Sequence, residues 1–373
     1  MYLQRLGPGD VSAKLPEATP LEGWDASTNG TLICAVGFED RTSAVAQFLA
    51  RKDRLSGLSV LLVKYPTNME DNAVHEGDFV EAAKKSRGLR RLNYSRQTFA
   101  DDLSQTLDEL AAPGSRAIID MSTMSSYLFY PILFALLDRE LELSIAYSEA
   151  EQYFPLKEEW EKVAERARAE GQLFVRSFED AAFQSDGLGE VYSFAPYYEY
   201  NYGSRPTALV CLPNFSVVRM RAMCGRASEL HGARRDLTHW VVGKPPGERN
   251  WWRMEAVRVT NNLENTPPER LHEASTLNYK EIIEVLDRIW DATRYTTAMS
   301  IACLGSKMQH LGVGLFCRMH KEISLWLSEP QKFSSKRFSS GCGARWQLDF
   351  GGTKGLRALL ESQGTYQWKL PDR

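Results

Sequence analysis

The stretch Thr31-Leu-Ile-Cys-Ala-Val-Gly-Phe-Glu-Asp-Arg41 decides how the chain reads. From Leu32 to Gly37 every residue is apolar or small, the composition of a strand covered on both faces, as central parallel strands are. The run breaks at Gly37, and Thr42 and Ser43 stand where they can cap a helix over 44–51. In open α/β sheets, ligands sit outside the carboxyl ends of such strands. Gly37, Glu39, Asp40 and Arg41 are therefore the first candidate site. Acids there suit ribose hydroxyls or a hard cation, and an arginine suits a phosphate. The same residues also have a structural use, with Asp40 as a helix cap and Arg41 as the partner of Glu39.

Downstream, the patterning predicts strands over 58–64, 91–94, 116–121 and 141–147. Helices are predicted over 73–86, 98–110 and 127–137; Phe99, Leu103, Leu107 and Leu110 fall on one helix face. Strands alternating with helices make a mostly parallel sheet. The second half repeats the order. Phe215, after the apolar run 207–212, lies 177 residues beyond Phe38, and Trp240-Val-Val-Gly-Lys-Pro245 lies 179 beyond Leu61-Leu-Val-Lys-Tyr-Pro66. The segments 278–290 and 327–333 lie 180 beyond 98–110 and 147–153. Four matches in order at nearly one spacing indicate a duplicated domain. The expected division is an N-terminal domain over 1–157, a joining segment over 158–205 and a C-terminal domain over 206–373. The joining segment opens on a charged surface helix, 158–170. It later carries five tyrosines between Tyr192 and Tyr202, suited to filling a crease or to stacking on bases.

Further candidates stand at strand ends. Asp120 closes a buried strand and is followed by Ser122, Thr123, Ser125 and Ser126 at the start of an apolar helix, where hydroxyls and free N–H groups favour an anion. In the second half, Gly305, Ser306, Lys307 and Gln309 occupy the matching turn. Lys307 opposes the helix dipole, a local misfit expected where function demands it. The duplicate of the Glu39–Arg41 stretch, Asn214-Phe215-Ser216-Val217, has neither acid nor base, an asymmetry that favours a function for the charges of the first half. Glu149 and Glu329 each follow a serine at a strand end. Lys244 opens Lys-Pro-Pro-Gly-Glu-Arg-Asn-Trp-Trp-Arg253, a segment able to stack on a base or to pack between domains. Gly341-Cys342-Gly343 reads as a loop able to approach a ligand closely.

Composition limits the function classes. With 45 Lys+Arg against 48 Asp+Glu, the formal charge is −3, which gives no global bias toward nucleic acid or an anionic membrane. The six cysteines are widely spaced without C-x-x-C, and Cys34 and Cys211 sit in apolar runs, so neither a disulfide framework nor a metal site is expected. No apolar signal region or membrane-length apolar run occurs, and the chain reads as cytoplasmic. There is no G-x-G-x-x-G, no phosphate-binding P-loop, no G-x-S-x-G and no H-E-x-x-H. No catalytic residue or cofactor is assigned.

At the Gly305-Ser306-Lys307 turn and the two Ser-Glu strand ends, the chain resembles the CRISPR-associated Rossmann-like (CARF) sensor domains and related modules of prokaryotic anti-phage systems. The resemblance implies tandem Rossmann-like α/β domains with ligand-edge loops after the first and fourth strands. These are 37–41 and 120–126 in one half, 214–216 and 305–309 in the other. It also implies a nucleotide-derived, phosphate-containing ligand and a protein partner such as an effector subunit. The chain departs from that family by fusing both units and by lacking a recognisable nuclease segment. Two other readings stand beside it: a metal-assisted nucleotide-processing enzyme using Glu39, Asp40 and Asp120, and an assembly subunit with a vestigial site.

Overall fold

A computed structural model describes residues 2–5, 11–23, 29–169, 185–194, 205–362 and 366–369. The tyrosines beyond Phe194 in the joining segment lie outside the described residues. The chain forms two compact units. The first comprises residues 16–154 and 332–358; the second comprises 1–15, 155–331 and 359–373.

In the first unit, β1 (Gly30–Val36) is buried at every residue. It is flanked by β2 (Leu58–Lys64) and β4 (Arg116–Asp120), with β3 (Gly88–Asn93) beyond β2 and β5 (Glu142–Ser148) beyond β4. All of these pair in parallel. The order is 3-2-1-4-5, the arrangement of a Rossmann-type half with its switch between the first and fourth strands. Burial follows position: β3 at the rim is largely exposed, so it tolerates Arg90 and Arg91, whereas β1 and the middle of β4 are buried and mostly apolar. The connecting helices are α1 (Ala44–Arg51), α2 (Met69–Ala83), α3 (Phe99–Leu110) and α4 (Ser126–Leu137). Helix α4 is apolar around its whole circumference and accordingly buried.

The second unit repeats this plan. It contains α5 (Lys157–Ala169) and the strands β6 (Ser185–Phe194), β7 (Thr207–Leu212), β8 (Ala233–Lys244), β9 (Leu271–Ser275), β10 (Ala298–Cys303) and β11 (Ser324–Phe333). Strands β9-β8-β7-β10-β11 lie in that order and pair in parallel, again 3-2-1-4-5, with β6 next to β11. The helices are α6 (Val217–His231), α7 (Trp252–Thr260), α8 (Tyr279–Thr293) and α9 (Lys307–Met319). Two mostly parallel α/β sheets with one strand order and one direction are what duplication requires. The close packing of α8 on α9 rests on Gly312: a Cβ there would lie 1.9 Å from the Ile282 Cγ2 and 2.5 Å from the Tyr279 carbonyl oxygen.

The units do not follow a linear division at 157 and 205. The segment 332–358 belongs to the first unit because the strand Arg345–Gly352 pairs antiparallel with β5 and carries Thr19–Pro20 on its outer edge. The lead-in joins the second unit. Its Val11 and Leu15 are buried and its Ser12 donates to Glu284 at 3.0 Å. The strand Tyr2–Arg5 pairs with Tyr366–Lys369. Antiparallel additions of this kind leave no periodicity in the parallel core by which to foresee them.

Candidate functional site

At the carboxyl edge of the first unit, the loop after β1 is knotted by hydroxyls. The Gly37 N–H donates to Thr42 Oγ1 at 2.9 Å, and the Thr42 hydroxyl reaches the Ala35 carbonyl at 3.1 Å. Thr42 and Thr123 lie 2.9 Å apart, and Thr123 also donates to Ala35 at 3.2 Å. Thr42 thus closes the loop instead of capping α1, and Ser43 at the N-cap makes no side-chain cap bond. Glycine is needed at 37 because a Cβ would meet the Thr123 side chain at 2.9 Å. Tyr65 supplies the next closure. Its hydroxyl donates to the Thr123 carbonyl at 3.0 Å and accepts the Ser125 N–H at 2.7 Å. The N-terminus of α4, expected to face an anion, has that N–H occupied by a phenol.

Arg41 is 2% exposed. Its guanidinium donates to Glu39 at 2.8 and 3.0 Å, to the Ser148 carbonyl at 2.8 Å and to the Tyr153 hydroxyl at 3.2 Å. The rings of Tyr147 and Tyr153 lie 5.8 and 5.5 Å from it. Burial alone would lower its pKa; the Glu39 charge and the two phenols more than reverse this. Ser339 donates to Glu39, and Asp40, far from capping α1, accepts the Gly341 N–H at 2.8 Å. Glu149 accepts the Trp346 indole N–H at 2.5 Å, and its carbonyl accepts the Gly343 N–H at 2.8 Å. The loop read as a ligand clasp, 341–343, therefore rests on the unit's own Asp40 and Glu149. Asp120, 3% exposed, has Oδ1 bonded to the Ser122 N–H and hydroxyl at 3.1 and 2.5 Å, while Oδ2 and the neighbouring Ser125 Oγ have no hydrogen-bond partner. Burial raises the Asp120 carboxyl to about 6, against the pull of the Ser122 bonds and Arg41.

The carboxyl edge of the second unit differs in charge. Ser306 caps α9 in a capping box. It accepts the Gln309 N–H at 3.2 Å, and the Gln309 side chain accepts the Ser306 N–H at 3.0 Å. Gln309 also donates to the Ala274 carbonyl at 3.2 Å, and a Cβ at Gly305 would lie 2.4 Å from its Oε1. Gly305 and Gln309 are thus explained by the cap. Lys307 occupies the first helical position. The sequence reading missed Arg219, on the first turn of α6, which is buried and donates from Nε to the Ser328 hydroxyl at 3.2 Å and from Nη2 to the Ser328 carbonyl at 2.5 Å. It stands 178 residues after Arg41, as Ser328 stands 180 after Ser148. The asymmetry read at 214–217 is therefore corrected: the duplicate cation is present, two residues further along. Both Lys307 and Arg219 act on buried His310, whose pKa falls to about 3 through burial first and these cations second. Glu329 accepts the Tyr192 hydroxyl at 3.0 Å, and Lys244 lies 4.9 Å from the Trp251 ring centroid.

The structure thus gathers Gly37, Glu39, Asp40, Arg41, Asp120, Ser122, Thr123, Ser125 and Glu149 at one edge of the first unit. It places Lys244, Gly305, Ser306, Lys307 and Gln309 at the strand ends of the second, whereas Glu329, expected at a strand end, lies within β11 because that strand runs on to Phe333. Tyr65 and Arg219 are not foreseen from the sequence; only Arg219 carries a signal, its offset from Arg41. Among the described residues no three His, Cys, Asp or Glu side chains group as a metal site would need, and no helix is long and apolar enough to cross a membrane.

No family model matches the chain, and no curated protein does. Among solved structures, a putative universal stress protein from Pseudomonas aeruginosa is 9% identical at a TM-score of 0.24, covering 90% of this chain and 99% of that one. A universal stress protein from Archaeoglobus fulgidus is 13% identical at 0.21, covering 82% and 97%. A short-chain type dehydrogenase/reductase from Mycobacterium ulcerans is 12% identical at 0.19, covering 76% and 90%. At such scores the Rossmann-like assignment stands on the strand order of the two sheets.

Proposed function

We propose that the protein is a binding module for a phosphate-containing, nucleotide-derived ligand. The ligand is taken at the carboxyl edge of the second unit, in a sensor or adaptor role of the kind played by CARF-type modules of anti-phage systems, with an effector protein as partner. The observation that carries this reading is the cationic strand edge at the switch between β7 and β10, where Lys307 opens α9, Arg219 stands on the first turn of α6, and both act on buried His310. Two cations on the helices that follow β7 and β10 can together attract a phosphate oxygen. The position agrees with where open α/β sheets take ligands. In this reading Gly305, Ser306 and Gln309 shape the turn, Lys244 and Glu329 rim it, and Lys307 contacts the phosphate. The first-unit set, with its arginine already paired to Glu39, holds its own loops, and Asp120 keeps one oxygen for a hydroxyl donor.

Calorimetry with ATP, cyclic oligoadenylates and inorganic phosphate tests the reading. Lys307→Ala is expected to weaken binding about ten- to a hundredfold, about 1.5–3 kcal/mol, with the melting temperature unchanged or slightly raised. Unchanged affinity with a lowered melting temperature would make Lys307 structural.

A further inference from the structure

Two of the six cysteines are in contact. Cys211 is buried within β7, in a cluster with Met220, Met223 and Trp326, and half-buried Cys224 lies on α6 against the same cluster. Their Sγ atoms are 3.6 Å apart, within hydrogen-bond reach and not covalently joined. The 13-residue separation spans the turn from β7 into α6, so a bond between them would staple a strand to the helix that follows it.

We propose that Cys211 and Cys224 form an oxidisable dithiol that a hydroperoxide converts to an intramolecular disulfide. The inference stands apart from the ligand reading above. The two thiols are unequal. The bond from Cys211 holds the Cys224 thiol below its ordinary value against the effect of burial. Burial pushes Cys211 well up. The more acidic and more accessible Cys224 is thus the nucleophile, and the buried Cys211 resolves it. In the first step the Cys224 thiolate attacks the peroxide: an S–O bond forms, the O–O bond breaks, and the departing alkoxide or hydroxide takes a proton. In the second, Cys211 sulfur attacks the sulfenic sulfur. The S–S bond forms, the S–O bond breaks, and water leaves with the Cys211 proton. The dithiol loses two electrons and the peroxide gains them. Because α6 also carries Arg219, which grips Ser328, the cross-link fixes the helix that holds the middle of β11.

The test is hydrogen peroxide treatment of the full chain, alkylation of remaining thiols under denaturing conditions, and mass spectrometry. The expected product is lighter than the reduced protein by two hydrogens. It yields one cross-linked peptide pair containing Cys211 and Cys224, reverts with dithiothreitol, and melts at a higher temperature than the reduced form. Cys224→Ser is expected to leave Cys211 reduced, and Cys211→Ala to leave a Cys224 sulfenic acid that dimedone traps, both with unchanged circular dichroism. Recovery of both thiols alkylated while exposed Cys342 is consumed would overturn the proposal. So would a Cys224 that dimedone does not label in the folded Cys211→Ala protein.

Discussion

Arg219 donates to the main-chain carbonyl of Ser328, as Arg41 donates to that of Ser148. A guanidinium from the start of a helix, or the loop just before one, thus ties down the fifth core strand in each unit, at its last residue Ser148 in β5 and midway along β11 at Ser328. The surroundings differ. Arg41 pairs with buried Glu39, so the two charges are desolvated together.

That difference predicts non-additive energetics in the first unit. Arg41→Ala should cost about 3–5 kcal/mol, since it leaves Glu39 buried without its cation. Adding Glu39→Ala should recover part of the loss, because the second change removes the stranded charge. Urea denaturation of the two single variants and the double variant measures the coupling. Additive losses would mean that the pair contributes nothing beyond its packing.

Asp120 predicts an inverted pH dependence. Its folded pKa of about 6 lies above the ordinary 3.8, so the ionised form is disfavoured in the fold. The contribution therefore costs stability above pH 6 and fades as the pH falls through 6 toward 4. Asp120→Asn should stabilise the protein at pH 7.5 by about 2–3 kcal/mol, with the gain vanishing near pH 4. Melting curves of both proteins across that range check it; parallel curves would mean that burial does not hold the carboxyl up.

Glycine substitutions separate packing from helix propensity. Gly312→Ala places a methyl against the Ile282 side chain and the Tyr279 backbone and should cost about 1–3 kcal/mol despite the better helix former. Gly225→Ala on α6 meets nothing within 4 Å and should stabilise by about 0.4–1 kcal/mol. Chemical denaturation distinguishes them, and equal effects would contradict the close packing of α8 on α9.

Much of the fold was legible because parallel strands buried on both faces write themselves as apolar runs. The strand at 30–36, its repeat at 207–212 and the amphipathic helices near 99 and 279 fall where periodicity put them. The return of Arg345–Gly352 to β5 was not legible, since an antiparallel strand added beyond the parallel core forms through backbone bonds that side-chain pattern does not encode. At the strand ends, sequence identified which residues gather but not what they bind. Asp40, read as a ligand acid or a helix cap, and Glu149, read as a ligand group, are instead taken up by the distant segment 339–346. Lys307 and Ser306 stood at the helix start as read, whereas Gln309 proved to be half of a capping box. Arg219 was hidden by a one-residue drift in the repeat spacing, 178 against 177 at Phe215.

The claim that the second unit's strand edge binds a phosphate-bearing ligand is tested most directly by retention. The purified protein and its Lys307→Ala variant are incubated with a cellular small-molecule extract, passed through gel filtration, gently denatured, and the released molecules identified by mass spectrometry. A phosphate-containing nucleotide species is expected from the wild type and depleted at least tenfold from the variant. Release of no such species from the wild type, or equal amounts from both proteins, would contradict the claim.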